Sequence, residues 1–224
     1  MSNRKENKAF IEVKGLKKSF DELLVLDKIS FCINKGEILS ILGPSGSGKT
    51  TLLKCLIGLE TLNSSEDSII INGLSRNDLL SKNRIAYVPQ RYSNYPWLNV
   101  FGNIKLGMIN HENPSRGFNI APIHMPALRE TEGEKQRHLF NQKHEQKVTE
   151  IIDLVGLTGF ENYTIDKLSG GMQQRVAIGR AIAQNTDIIA MDEPFGALDF
   201  KIRESLQLLV KQLNKTYFIC YPRY

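Results

Sequence analysis

One short run of residues has the types and spacing that could bind phosphate groups. Glycines let successive backbone N–H groups turn toward phosphate oxygens, and a helix that follows them adds positive potential at its N-terminus. Lys49 would then reach the β- and γ-phosphates of a nucleotide, and the Thr50 hydroxyl would ligate Mg²⁺. The alternative, a chance glycine-rich turn, is remote, because every fixed position of G-x-x-x-x-G-K-[ST] is present between a strand pattern and a helix pattern. The run consists of Gly43, Pro44, Ser45, Gly46, Ser47, Gly48, Lys49 and Thr50.

A second candidate site is acidic and follows the apolar run 188–191. The apolar residues predict a buried strand, and Asp192 would lie where that strand ends. Asp192 can hold Mg²⁺ directly or through water, and Glu193 is then placed to polarise an attacking water. Paired acidic residues are often a solvated loop, but the strand before them and the phosphate loop upstream favour a functional role.

Residues 168–175 carry a third motif, Leu-Ser-Gly-Gly-Met-Gln-Gln-Arg. It is similar to the LSGGQ-type signature of ABC ATPases. Together with the two motifs above, it makes the chain from about residue 9 to residue 215 resemble an ABC-type ATP-binding subunit. The resemblance implies ATP and Mg²⁺ as cofactors and ATP hydrolysis as the activity.

The resemblance also implies roles for individual residues. Phe20 matches the aromatic that stacks on adenine, and Gln90 matches the glutamine that senses Mg²⁺ and the γ-phosphate; singly, they could be a core aromatic and a surface residue. The implied catalytic residues are Glu193, Gln90 and Lys49, and the implied metal ligands are Thr50, Gln90 and Asp192. The implied nucleotide-binding residues are Phe20, Gly43, Pro44, Ser45, Gly46, Ser47, Gly48, Lys49, Thr50, Thr51, Ser169, Gly170, Gly171 and Asp199.

Strand and helix patterns alternate along the chain, which predicts an α/β fold with a parallel sheet. The resemblance adds detail: a P-loop NTPase (RecA-like) core, an N-terminal antiparallel β subdomain and an inserted α-helical subdomain. Residues 37–42 form a nearly continuous apolar run, which indicates a strand covered on both faces. Further strands are expected at 29–33, 68–71, 84–88 and 187–192, and helices at 49–59, at 148–155, after Ser169 and at 202–213.

We predict one ABC ATP-binding domain over residues 1–224. Residues 1–90 and 184–224 would form the core and the β subdomain, and residues 91–183 the helical subdomain, with an insertion at about 110–146. That insertion holds all four histidines, which suggests a metal site. Their spacing offers no helical i, i+4 pair and no cysteine joins them, so a solvated loop is favoured. The histidines are His111, His124, His138 and His144.

The composition excludes several classes of protein. With 41% hydrophobic and 24% charged residues, the 224-residue chain can bury a core and is not disordered as a whole. No apolar stretch approaches the ~18 residues that a membrane-spanning helix needs, and no signal peptide is evident. Three cysteines are too few for a disulfide framework, which favours a reducing cytoplasm. The net charge of +5 needs no nucleic-acid partner, since a basic N-terminal arm accounts for much of it.

The expected partners follow from the resemblance. It implies a head-to-tail dimer with a second ATP-binding subunit, in which one chain's phosphate loop and the other's signature enclose each ATP. It also implies an integral-membrane permease, which would place the chain peripherally at the cytoplasmic face of the cell membrane, and indirectly a periplasmic or lipid-anchored substrate-binding protein. Pro96, Trp97 and Leu98 are candidates for the permease contact, although Trp97 could equally pack into the helical subdomain.

The leading interpretation is an ATPase subunit of an importer. Residues 95–104 look like the corresponding stretch of nitrate, sulfonate and taurine import ATPases, which suggests such an anion as the transported solute. A catalytically inactive nucleotide sensor is a second possibility. A DNA-repair or translation ATPase is a third, but residues 91–167 carry no sustained heptads and the chain has one cassette, not two.

The last residues depart from the family pattern, in which a strand and a Thr-His-Asp switch follow the helix after residue 199. Here no histidine follows His144, and the chain ends in Tyr-Phe-Ile-Cys-Tyr-Pro-Arg-Tyr. With freely chosen codons, dropping one nucleotide after the Thr216 codon yields Thr-Ile-Leu-Phe-Val-Thr-His-Asp. We therefore expect that a frameshift truncated the chain and removed the switch histidine and a strand. The alternative function would be a catalytically impaired nucleotide-binding fragment of low stability.

Overall fold

A computed structural model describes residues 9–63, 68–75, 85–91, 93–112, 144–196, 198, 200–213 and 215–222. The chain divides into two compact units, residues 1–91 with 186–224 and residues 92–185. Boundaries after residues 90 and 183 were predicted from the sequence. The assignment of the two units to a single ATP-binding domain stays a prediction.

Over the residues that the structure describes, the first unit contains two four-stranded sheets, and the α/β fold is confirmed. The elements of this unit are β1 (Ile11–Phe20), β2 (Leu23–Ile33), β3 (Ile38–Gly43), α1 (Lys49–Leu56), β4 (Ile69–Ile71), β5 (Leu74–Ser75), β6 (Ile85–Val88), β7 (Ile188–Asp192), α5 (Phe200–Gln212) and β8 (Thr216–Pro222). One sheet is antiparallel, in the order β2-β1-β4-β5, and the other is parallel, in the order β3-β8-β7-β6.

The parallel sheet brings distant motifs to one edge. Because parallel strands end on the same side, the segments after β3, β6 and β7 emerge together. These segments are the glycine-rich run, Gln90 and Glu193. Strand β7 is buried at every position, as its apolar sequence predicts.

Strand β3 corrects one prediction. Residues 37–42 were expected to be covered on both faces, but β3 ends the strand order and Leu42 is 68% exposed. Ile38, Ser40 and Leu42 alternate along the strand and line an open groove beside α5. An apolar run predicts a strand well, but it does not show whether another element covers both faces.

Strand β8 corrects a second prediction. A strand was expected to be missing from the end of the chain, yet Thr216–Pro222 form one between β3 and β7. Tyr217 and Phe218 are fully buried in it. The sheet pairs through backbone groups, so any apolar, β-prone segment that reaches this position can complete the ladder.

Helix α1 packs on the core of the first unit. Leu53 and Leu56 are fully buried, whereas Leu52 is only partly buried against the same cluster. The helix ends at Leu56, three residues before the predicted end, and Gly58 follows with a φ of 76°. A positive φ cannot continue a right-handed helix, which explains the early end.

The second unit is mainly helical. It contains α2 (Val100–Glu112), α3 at 144–154 and α4 (Gly170–Ala183), and α2 packs against α4. Val148, Ile151, Ile152 and Val155 are buried, as their spacing predicts. Residues 113–143 lie outside the described residues, so the predicted insertion and its histidine site stay predictions. Among the helices of the described ranges, none is both long and apolar enough to cross a membrane.

Candidate functional site

The glycine-rich run forms a tight loop between β3 and α1. Gly46 and Gly48 have φ of 79° and 85°, which L side chains rarely adopt. At Gly48 a Cβ atom would also lie 3.0 Å from Val25 Cγ1, so this position requires glycine. Lys49 is 7% exposed, and its ammonium donates to the carbonyl oxygens of Gly43 at 2.9 Å and Pro44 at 2.8 Å. The loop thus holds a cation against its own carbonyl oxygens.

Thr50 and Asp192 meet across the sheet edge. The Thr50 hydroxyl donates to Asp192 Oδ2 at 2.8 Å. Asp192 is 2% exposed, and its other oxygen, Oδ1, is buried and receives no hydrogen bond from the described residues. A buried carboxylate oxygen with no donor, beside a hydroxyl, provides the hard oxygen ligands that Mg²⁺ prefers. These residues therefore fit a magnesium ion.

Gln90 and Glu193 form the second contact of the site. Gln90 Nε2 donates to Glu193 Oε2 at 2.9 Å. Glu193 has a φ of 50°, which is uncommon for a residue with a Cβ, and its N–H donates to the Cys220 carbonyl at 3.2 Å. Non-glycine residues in this conformation are enriched at functional sites. The backbone thus aims the Glu193 carboxylate at Gln90.

Burial and the Asp192 charge both raise the pKa of two neighbouring groups. Burial raises the pKa of the Tyr87 phenol to about 12, and the Asp192 carboxylate adds to the shift. Burial likewise raises the pKa of the Cys220 thiol to about 12, with a further increase from Asp192. Both groups are therefore neutral at physiological pH, and neither brings a charge to the site.

The implied adenine contact lies in the antiparallel sheet. Phe20 is the last residue of β1 and is 42% exposed. The Lys18 ammonium lies 4.5 Å from the centre of its ring. Phe20 is therefore not a core aromatic, which was the alternative interpretation of its sequence position.

The signature residues occupy the start of α4 in the second unit. The Ser169 hydroxyl accepts from Met172 N at 3.3 Å, as an N-cap does, and Gly170 and Gly171 are the first two helical residues. Ser169 and Gly170 are exposed. Thr51 lies in the first turn of α1, and Asp199 lies outside the described residues.

Trp97 occupies an exposed turn before α2. It is 63% exposed and its ring centre lies 5.3 Å from that of Tyr95, so the alternative of a packed Trp97 is wrong. Asn103, which is fully buried, holds the turn. Its Oδ1 accepts from Tyr95 N, and its Nδ2 donates to the carbonyl oxygens of Tyr95, Leu98 and Asn99. The role of Asn103 in holding this turn was not predicted. An asparagine three residues into a helix pattern could have indicated a side chain that bonds the backbone of the preceding turn.

Comparison with known proteins agrees with this arrangement. A family model described as "ABC transporter" matches residues 26–196. The chain belongs to the ABC transporter family. It corresponds to the ATP-binding domain of that family, and the fold predicted from the sequence is confirmed.

A solved structure supports the family assignment. The ATP-binding cassette MJ0796, in a dimeric post-hydrolysis state bound to ADP and Pi, is 30% identical with a TM-score of 0.73. The alignment covers 94% of this chain and 87% of that one.

Curated relatives include importer proteins. The Spermidine/putrescine import ATP-binding protein PotA of Bacteroides fragilis is 37% identical over 96% of this chain and 41% of its own length. The Sulfate/thiosulfate import ATP-binding protein CysA of Bacillus cereus is 36% identical over 93% and 52%. This ABC chain thus spans about half the length of the curated relatives it matches.

Proposed function

We propose that this ABC chain binds ATP with Mg²⁺ and hydrolyses it as the ATP-binding subunit of a membrane importer. The contact between Thr50 and Asp192 carries the proposal, because it joins the phosphate loop to the acidic strand end. Glu193 follows directly in sequence and contacts Gln90. The residues proposed for the phosphate site, the metal site and the base therefore lie at one sheet edge.

Three side chains would bind the metal ion and the phosphates of ATP. Mg²⁺, when bound, supplies positive charge that offsets the negative charge of the phosphate oxygens. Thr50 and Asp192 would hold the ion through their oxygens. Lys49 would exchange its two carbonyl partners for the β- and γ-phosphates, which are stronger acceptors for an ammonium.

Glu193 would act as the general base. Its carboxylate would accept a proton from the water that attacks the γ-phosphate, while Gln90, already 2.9 Å away, would hold the carboxylate in position. Gln90 would also report the state of the metal and the γ-phosphate to the rest of the chain, as the resemblance implies.

Glu193→Gln tests the proposal. We expect phosphate release to fall at least about 100-fold, because an amide cannot accept the proton, while the Kd for ATP stays within about twofold. Titration calorimetry and a phosphate-release assay measure the two quantities. Glu204→Gln, the same change on an exposed face of α5, is the matched control and should leave both unchanged. Equal phosphate release from Glu193→Gln and the parent chain would remove Glu193 from the mechanism.

The proposed working unit is a dimer. Ser169, Gly170 and Gly171 present backbone N–H groups at an exposed helix start, which suits a phosphate held by another chain. MJ0796, described as dimeric in its solved structure, supports a second ATP-binding subunit as the partner. Asp199 is proposed to line the same interface.

The proposed membrane partner is a permease, which would place the chain peripherally at the cytoplasmic face of the membrane. An exposed tryptophan on a rigid turn is a suitable anchor for such a contact, and Trp97 with Pro96 and Leu98 is the candidate. A substrate-binding protein would act indirectly, through the permease. Co-purification with a permease would support a permease as the partner, whereas co-purification with ribosomes or DNA would contradict it.

The proposed solute is a small oxyanion or sulfonate. Residues 95–104 suggested nitrate, sulfonate or taurine, and the Bacillus cereus relative is named for sulfate and thiosulfate. The Bacteroides fragilis relative is named for spermidine and putrescine, which are cations. Solute uptake by the assembled importer should be inhibited by the class of solute that it carries, so competition with sulfate, taurine and putrescine distinguishes these classes.

The frameshift near residue 216 stays a prediction, which sequencing of the gene tests.

A further inference from the structure

Lys18 is a nearly buried lysine next to the proposed adenine site. The residue is 5% exposed, although lysine is among the side chains that proteins bury least. Its ammonium lies 3.5 Å from Glu60 Oε2 and donates to Thr61 Oγ1 at 3.3 Å. The same ammonium lies 4.5 Å from the centre of the Phe20 ring. One cation therefore contacts an acid, a hydroxyl and an aromatic face.

The residues that hold Lys18 continue from the phosphate-loop helix. After α1 ends, the N–H groups of Leu59 and Glu60 donate to the Lys54 carbonyl in its last turn. Asn63 then ties this segment to β1, because its Oδ1 accepts from Ser19 N at 2.8 Å and its N–H donates to the Lys17 carbonyl at 3.2 Å. The end of β1 is thus fastened to the chain that leaves α1.

The pairing of β1 with β2 shifts register between Lys18 and Ser19, and the Lys18 ammonium lies over the Phe20 ring two residues further along the strand. A cation over one ring face is attracted by the quadrupole of the ring, which restricts how the ring can turn. Phe20 keeps 42% of its surface exposed. This exposed surface of the ring can receive a planar base, which aromatic rings bind by offset stacking.

We propose that Lys18 is a positioning residue for the nucleotide base. It holds the Phe20 ring in the orientation that stacks on a purine, and Glu60 and Thr61 hold Lys18. The proposal rests on the proposed ATP-binding function and adds to it a second residue for base recognition. Lys18 itself makes no contact with the phosphates in this scheme.

Lys18→Met tests the proposal with two ligands, because methionine keeps the apolar length of the side chain and removes the charge. We expect the Kd for ATP to rise about three- to fivefold, the size of one cation–π contact. The Kd for inorganic tripolyphosphate, which has no base, should stay within about twofold. Titration calorimetry measures both. If Lys18 had a purely structural role, Lys18→Met would raise the Kd for ATP and the Kd for tripolyphosphate equally, and that result would overturn the proposal.

Three further variants complete the test. Lys17→Met, at the neighbouring half-exposed lysine, is the matched control and should change neither Kd. Lys18→Arg should restore most of the ATP affinity, because the cation is retained. Glu60→Gln should raise the Kd for ATP by less than Lys18→Met does and should leave the Kd for tripolyphosphate unchanged. It replaces Lys18→Met in the test if that variant does not fold.

Phe20→Ala separates this proposal from the proposed function. In the Phe20→Ala background, Lys18→Met should cause no further loss of ATP affinity, since the ring through which it acts is gone. If Phe20→Ala alone has no effect, base stacking itself is overturned, and this proposal with it. If Phe20→Ala weakens ATP but Lys18→Met does not, only the role of Lys18 is overturned.

Discussion

The contact between Thr50 and Asp192 shows how much one pair of side chains contributes to this site. Asp192 is buried at the end of β7, and Thr50 supplies the hydrogen bond to its Oδ2. A buried carboxylate oxygen that loses its donor costs about 1–3 kcal/mol. The same pair would hold Mg²⁺, so the stability of the first unit and the chemistry of the site depend on the same two residues.

Thr50→Val is expected to affect stability and metal use together. Valine has the shape of threonine without the hydroxyl, so the free energy of unfolding should fall by about 1–3 kcal/mol. The Mg²⁺ concentration needed for half-maximal hydrolysis should rise. Urea unfolding and a magnesium titration of phosphate release measure the two effects. Thr149→Val removes an exposed helical hydroxyl that donates to the Glu145 carbonyl, and it should change neither. A Thr50→Val chain with parental magnesium dependence would exclude Thr50 as a metal ligand.

At the scale of the elements, α2 and α4 pack with almost no space between them. A Cβ atom at Gly107 would overlap the Arg180 carbonyl oxygen and would lie 3.1 Å from Ala183 Cβ. Both obstacles belong to α4, and the carbonyl oxygen is backbone, which cannot rotate away as a side chain can. The two helices approach closely because residue 107 has no side chain.

Gly107→Ala is therefore expected to destabilise the second unit. Alanine in a helix interior gains roughly 1 kcal/mol over glycine, but overpacking costs typically about 1–3 kcal/mol, and here the obstacle is backbone. We expect a net fall of about 1–2 kcal/mol in chemical denaturation. Gly196→Ala is the matched control, because its Cβ atom would lie 3.7 Å from the nearest atom, an ordinary contact. An increase in stability for Gly107→Ala would show that the helices can separate at little cost.

At the scale of the whole molecule, the proposed function needs two chains. The phosphate loop lies in the first unit and the signature helix in the second. A charge placed at the start of α4 should therefore disturb the dimer and leave the phosphate loop of its own chain intact. An aspartate there is favourable for the helix itself, because acidic residues in the first turn interact well with the helix dipole.

Gly170→Asp tests whether a charge at the start of α4 disturbs the dimer without disturbing the helix itself. In a Glu193→Gln background, where ATP persists, we expect ATP to convert the parent chain into a dimer in sedimentation experiments. The added carboxylate should abolish that dimer by repelling the phosphates of the partner's ATP, with the melting temperature nearly unchanged. Asn162→Asp adds the same charge at an exposed position and should leave the dimer intact. Dimers that persist with Gly170→Asp would place the interface elsewhere.

The sequence alone determined the local chemistry and the kinds of element. The glycine-rich run predicted a loop between strand and helix because only glycine adopts the φ of Gly46 and Gly48 at low cost. The apolar run before Asp192 predicted a buried strand, and the spacing from Val148 to Val155 predicted a helix. These inferences hold because such patterns depend on neighbours along the chain.

The tertiary structure decided what depends on residues far apart in the sequence. It placed Gln90 against Glu193, left one face of β3 open at Leu42, and put β8 inside the sheet. It also surrounded Lys18 with Glu60, Thr61 and Phe20, although a basic residue in a strand pattern reads as solvent-facing. Periodicity records that a side chain is apolar or charged, whereas its partner is set by how the strands and helices come together.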